Sequence, residues 1–251
     1  DAHRVIEEFM IAANEAVSEI MEREKWPFLY RVHEPPQPEA MQRFERFASA
    51  LGLKPRLGAG EDPRQFSAFL TSIKDNPYIE TLSYLMLRSL KQARYEPSNL
   101  KHFGLASGAY THFTSPIRRY PDLMVHRILK RYGRHKPFHG GERSEYETYL
   151  DEACKHCSIQ ERKAQDLDRT VTKVKKARFM EKHLGEQFEA RVYNVGENGL
   201  FIELSQWFVE GLLAMDELHG DFFEFIEDKL MLHGKRTGKK YKIGDRLQVV
   251  V

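Results

Sequence analysis

Cysteine is nearly missing. Two thiols, Cys154 and Cys157, stand in 251 residues. That excludes a disulfide-stapled secreted scaffold and suits a reducing cytoplasm. The pair sits in CKHC around His156, a spacing that zinc or redox chemistry uses. Zinc needs about four ligands, and neither a second CxxC nor a well-spaced His pair accompanies this one. Structural thiols one helical turn apart on a partly buried face are the expectation. Long apolar runs are also missing, which argues against a membrane-spanning helix. Clustered aspartates are missing too. The closest two, Asp166 and Asp168, lie on an expected helix, where a two-residue spacing points them to different faces.

A dominant charge sign is missing only on average. The formal net charge is +2. Residues 88–136 carry eleven Lys/Arg against Glu96 and Asp122, a local net of +9, while residues 184–251 carry eight basic and twelve acidic residues, a net of −4. A polyanion channel requires such a basic block. A solvated basic face with no ligand is the plain alternative.

Inside that block lies HFGLASGAYTHFTSPIRRYPDLMVHRIL, residues 102–129. Thr114 and Ser115 are helix-capping types, and Pro116 suits a first helical position. Pro121 lacks an N–H and opens helices rather than continuing them. A short turn over 115–120 followed by a helix from Pro121 would present Arg118 and Arg119 at the junction. Free backbone N–H groups and two guanidinium groups there would hold a phosphate. Ion pairing with Asp122 is the competing role for the arginines. Tyr120, Thr114 and Ser115 are expected to shape the turn, and Asp122 and His126, four apart, to pair. The small residues Gly104, Ala106, Ser107, Gly108 and Ala109 would let a ligand or a backbone approach closely. Tyr110, His112 and Phe113 offer ring faces for bases.

The rest of the chain reads as α+β. A helix is expected over 1–25, capped by Asp1, with Val5, Ile6, Phe9, Met10, Ala13, Val17 and Ile20 on one stripe. A short strand follows over 28–33. Helices are expected over 38–50, over 63–74 with Asp62 as cap, and over 77–94 with Asn76 as cap. Residues 103–113 read as extended, 121–132 as helix, 135–141 as polar loop and 145–183 as one long helix or two joined by a bend. Strands are expected over 185–192, 199–204 and 211–215, with Gly199 allowing a bend, and RLQVVV, 246–251, as the fourth strand of an OB barrel whose fifth is not in the sequence.

The 102–129 segment closely resembles the signature of the bacterial ribonuclease R / ribonuclease II (RNB) family. DAHRVIEEFMIAANEAV, FLYRVHEPP and CSIQERKAQDLDR resemble other blocks of the same catalytic domain, in family order, and the residues after about Gly185 resemble the S1 RNA-binding domain. IRRYPD and GKRTGKKYKIGDR lean toward the ribonuclease R branch. The resemblance implies the helix-rich C-terminal portion of an RNB catalytic fold over 1–183 and an incomplete S1-type OB-fold barrel over 184–251. It implies a processive 3′-to-5′ exoribonuclease that works as a monomer in the cytoplasm. Such an enzyme releases nucleoside 5′-monophosphates from single-stranded RNA and uses Mg²⁺.

By the same resemblance, Arg118 matches the arginine gripping the phosphate at the scissile bond. Arg119 matches a contact to the RNA backbone. Glu161 matches a glutamate touching the 3′-terminal nucleotide, with an ordinary helix-surface pairing as its alternative. Tyr110, Thr114, Ser115 and Tyr120 fall on the RNA-binding stretch. Phe201, with Phe188 and His219, resembles a base-stacking face, although such aromatics also fill barrel cores. The family holds its metal on a DP…DxDD-like aspartate cluster. Asp62-Pro63 has the first two letters and none of the rest. A piece of a longer enzyme, trimmed at both ends and inactive alone with no metal bound, is therefore expected. A non-catalytic RNA-binding module on the same scaffold is the other reading.

Overall fold

The structure is a computed structural model describing all residues except Asp1, Arg56, Ala59, Glu61 and Pro77, with Asp228 described by its backbone only. In chain order it contains α1 (Ala2–Arg23), β1 (Tyr30–Val32), α2 (Pro38–Ala50), α3 (Pro63–Ser72), α4 (Ile79–Ser89), β2 (Arg94–Glu96), α5 (Tyr120–Gly133) and α6 (Glu142–Met180). Seven strands follow: β3 (Gln187–Gly196), β4 (Gly199–Leu204), β5 (Glu210–Ala214), β6 (Phe223–Ile226), β7 (Met231–Gly234), β8 (Lys240–Lys242) and β9 (Arg246–Val250). Among the described residues no helix is long and apolar enough to cross a membrane.

The chain divides into two compact units. The first comprises Asp1–Gln37, Gly58–Phe66 and Leu90–Leu167. Its core gathers Met21, Phe28, Leu29, Val32, Tyr95, Met124, Val125, Ile128, Leu150 and Cys154. β1 and β2 pair antiparallel with Arg31 opposite Tyr95. Directly opposed residues share a face, so this register puts the guanidinium beside the phenol ring. Cys154 is buried and Cys157 half-buried, both free thiols. Burial pushes the Cys154 thiol up to about 12.

The second unit comprises Pro38–Leu57, Ser67–Ser89 and Asp168–Val251. α2 buries Met41, Phe44, Phe47 and Ala48, the stripe its periodicity predicts. A four-stranded antiparallel sheet runs β5-β4-β3-β9, and a separate three-stranded sheet runs β6-β7-β8. β3 carries an irregularity between Val192 and Asn194. Gly199 has φ +136°, and a Cβ there would meet the Leu213 carbonyl oxygen at 2.2 Å. No side chain fits between these two strands.

Several local expectations are corrected. The helix expected to run to Arg94 ends at Ser89, because Arg94–Glu96 pairs with β1 as a strand. Residues Phe103–Leu105 form a 3₁₀ turn inside the segment read as extended, with the His102 side chain accepting from the Leu105 N–H. The long helix is one continuous element of 39 residues, closed by a 3₁₀ turn over Glu181–His183. Before the last strand the chain builds the β6-β7-β8 sheet, which the alternation did not reveal. Within its own sheet β9 is the fourth strand, paired with β3. The stripe of α1 is not a uniform core face. Val5, Ile6 and Met10 are exposed, Phe9 is 71% exposed, and burial begins at Asn14. Periodicity identifies an apolar face but not what covers it. Asp62 does act as a cap, accepting from the Arg64 N–H, whereas Asn76 accepts from the Tyr78 N–H in the turn before α4, which begins only at Ile79. The expected Asp1 cap and Pro77 lie outside the described residues.

Candidate functional site

The turn between Ser115 and the start of α5 is built around one buried carboxylate. Asp122 has no solvent exposure. Its Oδ1 accepts from the Ser115 N–H at 2.7 Å and from Arg119 Nη2 at 2.7 Å. The amides of Arg118 and Arg119 donate back to the Ser115 carbonyl. The first helical turn is thus held from within by an acidic side chain, which also suits the helix macrodipole. No side chain caps α5 from its N-cap position, Arg119. The capping expected of Thr114 and Ser115 is corrected: Ser115 contributes its backbone, and Asp122 supplies the acceptor. The Asp122–His126 pairing is corrected as well. His126 bonds the Phe113 carbonyl at 3.0 Å and stacks on the Phe113 ring at 4.4 Å.

The two arginines therefore differ. Arg119 is 22% exposed and tied to Asp122. Its Nε and the Asp122 Oδ2 are buried with no hydrogen-bond partner among the described residues. Arg118 is exposed, and its guanidinium has no hydrogen bond or ion pair among the described residues. Ile117 beside it is fully exposed. The fold spends Arg119 on holding the turn and leaves Arg118 open to a ligand.

A third arginine belongs to the same unit. Arg31 on β1 is 11% exposed, and its Nη1 bonds Glu161 Oε2 at 2.5 Å. Its guanidinium lies 4.7 Å from the centre of the Tyr95 ring, a cation–π contact. The Tyr95 amide donates to Ser158 Oγ at 2.9 Å, tying β2 to α6 one turn before Glu161. Glu161 is therefore anchored across 130 residues of sequence, and the helix-surface pairing is corrected to an Arg31 ion pair. Arg31 and Tyr95 escaped the sequence reading. The available signal was the alternation of FLYRVHEPP, which marks a strand whose polar member needs a partner.

Between these groups runs a chain of rings. Tyr95 Oη meets His112 Nδ1 at 2.8 Å. Tyr110 packs edge-on against His112 and His102. Asn14 donates from Nδ2 to Tyr110 Oη at 2.9 Å, and its Oδ1 accepts from the Phe113 N–H. Burial, with Arg119 and Arg31 nearby, pulls His112 down to about 3. Burial, His33 and Arg31 pull His102 down to about 4. Both imidazoles are neutral near pH 7, so the positive charge of the site belongs to the arginines. Tyr110 is only 7% exposed. Its ring and that of Phe113 already pack on protein partners, and neither offers an open face to a base. Tyr120 is exposed and bonds Tyr149 Oη at 3.1 Å, while Thr114 is half-buried at the bend.

In the second unit Phe201 is half-buried on β4, with its ring centre 6.2 Å from that of Tyr193. Phe188 is buried on β3 and packs against Trp207 and His183, so its ring serves the core of the unit. His219 is exposed. Among the described residues no three His, Cys, Asp or Glu side chains gather where they would hold a metal ion. Asp122, buried beside the arginines, is engaged by Ser115 and Arg119. The described residues do not make a divalent-metal site.

The family model for the RNB domain matches residues 1–135, and that for the S1 RNA binding domain matches residues 181–251. The chain belongs to the RNB family. Ribonuclease R 1 of Lactococcus lactis is 43% identical over the whole of this chain, which covers 30% of that protein. The apo form of Mycoplasma genitalium RNase R superposes with a TM-score of 0.93 at 32% identity, covering 100% of this chain and 39% of that one. The same enzyme in complex with ribose methylated single-stranded RNA gives 0.91 at 32% identity, covering 99% and 39%. This RNB chain thus spans about a third of the length of the curated relatives it matches.

Proposed function

We propose that this chain is the phosphate-gripping part of a ribonuclease R-type enzyme, one that degrades single-stranded RNA from the 3′ end to nucleoside 5′-monophosphates in the cytoplasm. The open Arg118 guanidinium, carried on a turn that Asp122 and Arg119 hold, is the observation that carries the reading. Arg118 would grip the phosphate at the reacting bond and stabilise charge developing on its oxygens. Arg119 sets the turn and adds positive potential toward the backbone. Glu161, oriented by Arg31, would meet the 3′-terminal nucleotide. Phe201 would stack a base farther along the strand. The basic block over 88–136 would draw the polyanion in. The Mycoplasma relative bound to single-stranded RNA supports this choice of ligand.

A second, narrower reading for the chain taken alone is favoured because, among the described residues, no carboxylates gather as oxygen ligands for Mg²⁺. In that reading it would bind RNA and release no mononucleotides. Fluorescence anisotropy with 3′-labelled single-stranded RNA tests the binding, and thin-layer separation of the products tests the cleavage. Binding that weakens about tenfold in Arg118→Ala, with no cleavage by this chain but cleavage by the full-length gene product, is the expected result. Arg118-dependent release of mononucleotides by this chain would overturn the inactivity. RNA binding without cleavage by the full-length product would favour a non-catalytic binding protein.

A further inference from the structure

Within the first unit, Tyr149 on α6 is 43% exposed, whereas the rings of Tyr110 and Phe113 are taken by protein partners. It lines a cavity of about 250 Å³ between α5 and α6. Met124 and Ile128 of α5 are buried and give the cavity an apolar floor. Tyr146 and Tyr149 supply rings 5.8 Å apart between centres. Arg127 and Arg131 complete the lining, and among the described residues no acidic side chain belongs to it. These two arginines are not equivalent. Arg131 bonds Glu142 at 2.7 Å and the carbonyls of Lys136 and Pro137, and it lies 3.9 Å from the centre of the Phe138 ring. Its charge is already matched within the fold. Arg127 is exposed, and its side chain has no hydrogen bond or ion pair among the described residues. Lys130 and Arg134, about one and two turns farther along α5, are also exposed, with side chains unpaired among the described residues. Spacings of three and seven keep the three cations on one side of the helix.

The volume falls below the range of about 300–1,000 Å³ for sites that enclose a whole small molecule, and suits a single flat ring. Any base has a face that stacks on tyrosine. The one open guanidinium of the lining matches the single charge of an internal phosphodiester. Two further unpaired cations running on from it call for a polyanion rather than a neutral ligand or an isolated nucleotide. Tyr120 and Tyr149 share a hydroxyl hydrogen bond of 3.1 Å, and Tyr120 follows Arg118 by two residues, so the cavity adjoins the Arg118 turn. That bond, with burial, pushes the Tyr149 hydroxyl up to about 12, so it carries no charge to repel a phosphate.

We propose that this cavity holds one base of a single-stranded RNA, stacked on the Tyr149 ring with its phosphodiester on Arg127, and that the strand continues along Lys130 and Arg134. The inference rests on the reading of this chain as an RNA-binding part of a nuclease, and adds a base subsite next to the phosphate grip. The cavity itself makes no use of Arg118, and its test does not depend on any nuclease activity.

Anisotropy titrations with labelled oligonucleotides of one length, intact or made abasic at each position in turn, test it. The proteins are this chain as wild type, Tyr149→Ala, Tyr149→Phe, Arg127→Ala and Arg118→Ala. Tyr149 and Arg127 are exposed, and circular dichroism checks that each variant folds. Intact RNA should bind about tenfold more weakly to Tyr149→Ala and normally to Tyr149→Phe, which keeps the ring and loses the hydroxyl bond. One abasic position should weaken binding to wild type and to Arg118→Ala but add nothing to the loss in Tyr149→Ala. Arg127→Ala should lower the slope of affinity against salt by about one. Weak binding by Arg118→Ala alone, with the Tyr149 and Arg127 variants like wild type, would overturn the cavity and leave the phosphate grip standing. Normal binding by Arg118→Ala, with weak binding by Tyr149→Ala and Arg127→Ala, would support the cavity and sink the grip. Tyr149→Phe as weak as Tyr149→Ala would show that the hydroxyl pair acts and not the ring, which also overturns the proposal. So would displacement of intact RNA by an equimolar amount of adenosine 5′-monophosphate, which assigns the cavity to a free nucleotide.

Discussion

Replacing Asp122 disturbs the one group on which the arginine turn rests. The carboxylate has no exposure, and Oδ1 serves both the Ser115 amide and Arg119 Nη2 at 2.7 Å. Asp122→Ala leaves a mostly buried guanidinium without its counter-ion, which costs about 3–5 kcal/mol. It also leaves a part-buried amide unpaired, worth about 1–3 kcal/mol by itself. The two losses share one oxygen and do not add in full, so about 4 kcal/mol is the working figure. Asp122→Asn keeps an acceptor for Ser115 and loses the charge, for about 1.5–3 kcal/mol. Typical domains hold only about 5–15 kcal/mol in all. Urea denaturation followed by near-ultraviolet circular dichroism, which reports the aromatic chain of the first unit, reads the loss directly. RNA anisotropy reads whether the turn still presents Arg118. The expected order is wild type, then Asn, then Ala, in both assays. An Ala variant within 1 kcal/mol of wild type that binds RNA normally would refute the claim that Asp122 holds the turn.

Two further outcomes follow from the same geometry. The folded pKa of His112 is pulled down to about 3, below the ordinary value of 6.5. Between those values the unfolded chain binds more protons, so this stabilisation is complete above pH 6.5 and is lost as pH falls toward 3. From pH 7.5 to 5.5 the wild type should lose about 1.4 kcal/mol more than His112→Asn, measured by denaturation at both pH values; equal losses would remove His112 as the cause. Gly199→Ala forces a Cβ into the Leu213 carbonyl and should destabilise the β4–β5 pairing by about 1–3 kcal/mol or more, read as a lower melting temperature, whereas an unchanged melting temperature would mean the strands separate freely.

Local chemistry was legible wherever it was self-contained. The cap Asp62, the buried stripe of α2 and the strand after Gly199 depend on neighbours within a few residues. β2 was not legible, because its three residues gain strand character only from β1, more than sixty positions earlier. The β6-β7-β8 sheet escaped because its strands are only three or four residues long. Within the site, adjacency showed the Arg118–Arg119 pair but not the division of labour between them, which depends on a carboxylate folding back under the turn. Arg31 and Glu161 stand 130 residues apart, and no spacing rule joins them. The rings of Tyr110 and Phe113 were read as open faces because sequence shows an aromatic residue, not its occupied partners.

The central claim is that Arg118 is the open phosphate grip, and the salt dependence of RNA binding tests it most directly. Anisotropy titrations of wild type and Arg118→Ala across a salt series give the number of phosphate contacts from the slope. The account predicts affinity about tenfold lower in the variant and a slope reduced by about one, the loss of a single phosphate contact. A variant that binds with unchanged affinity and slope would contradict it.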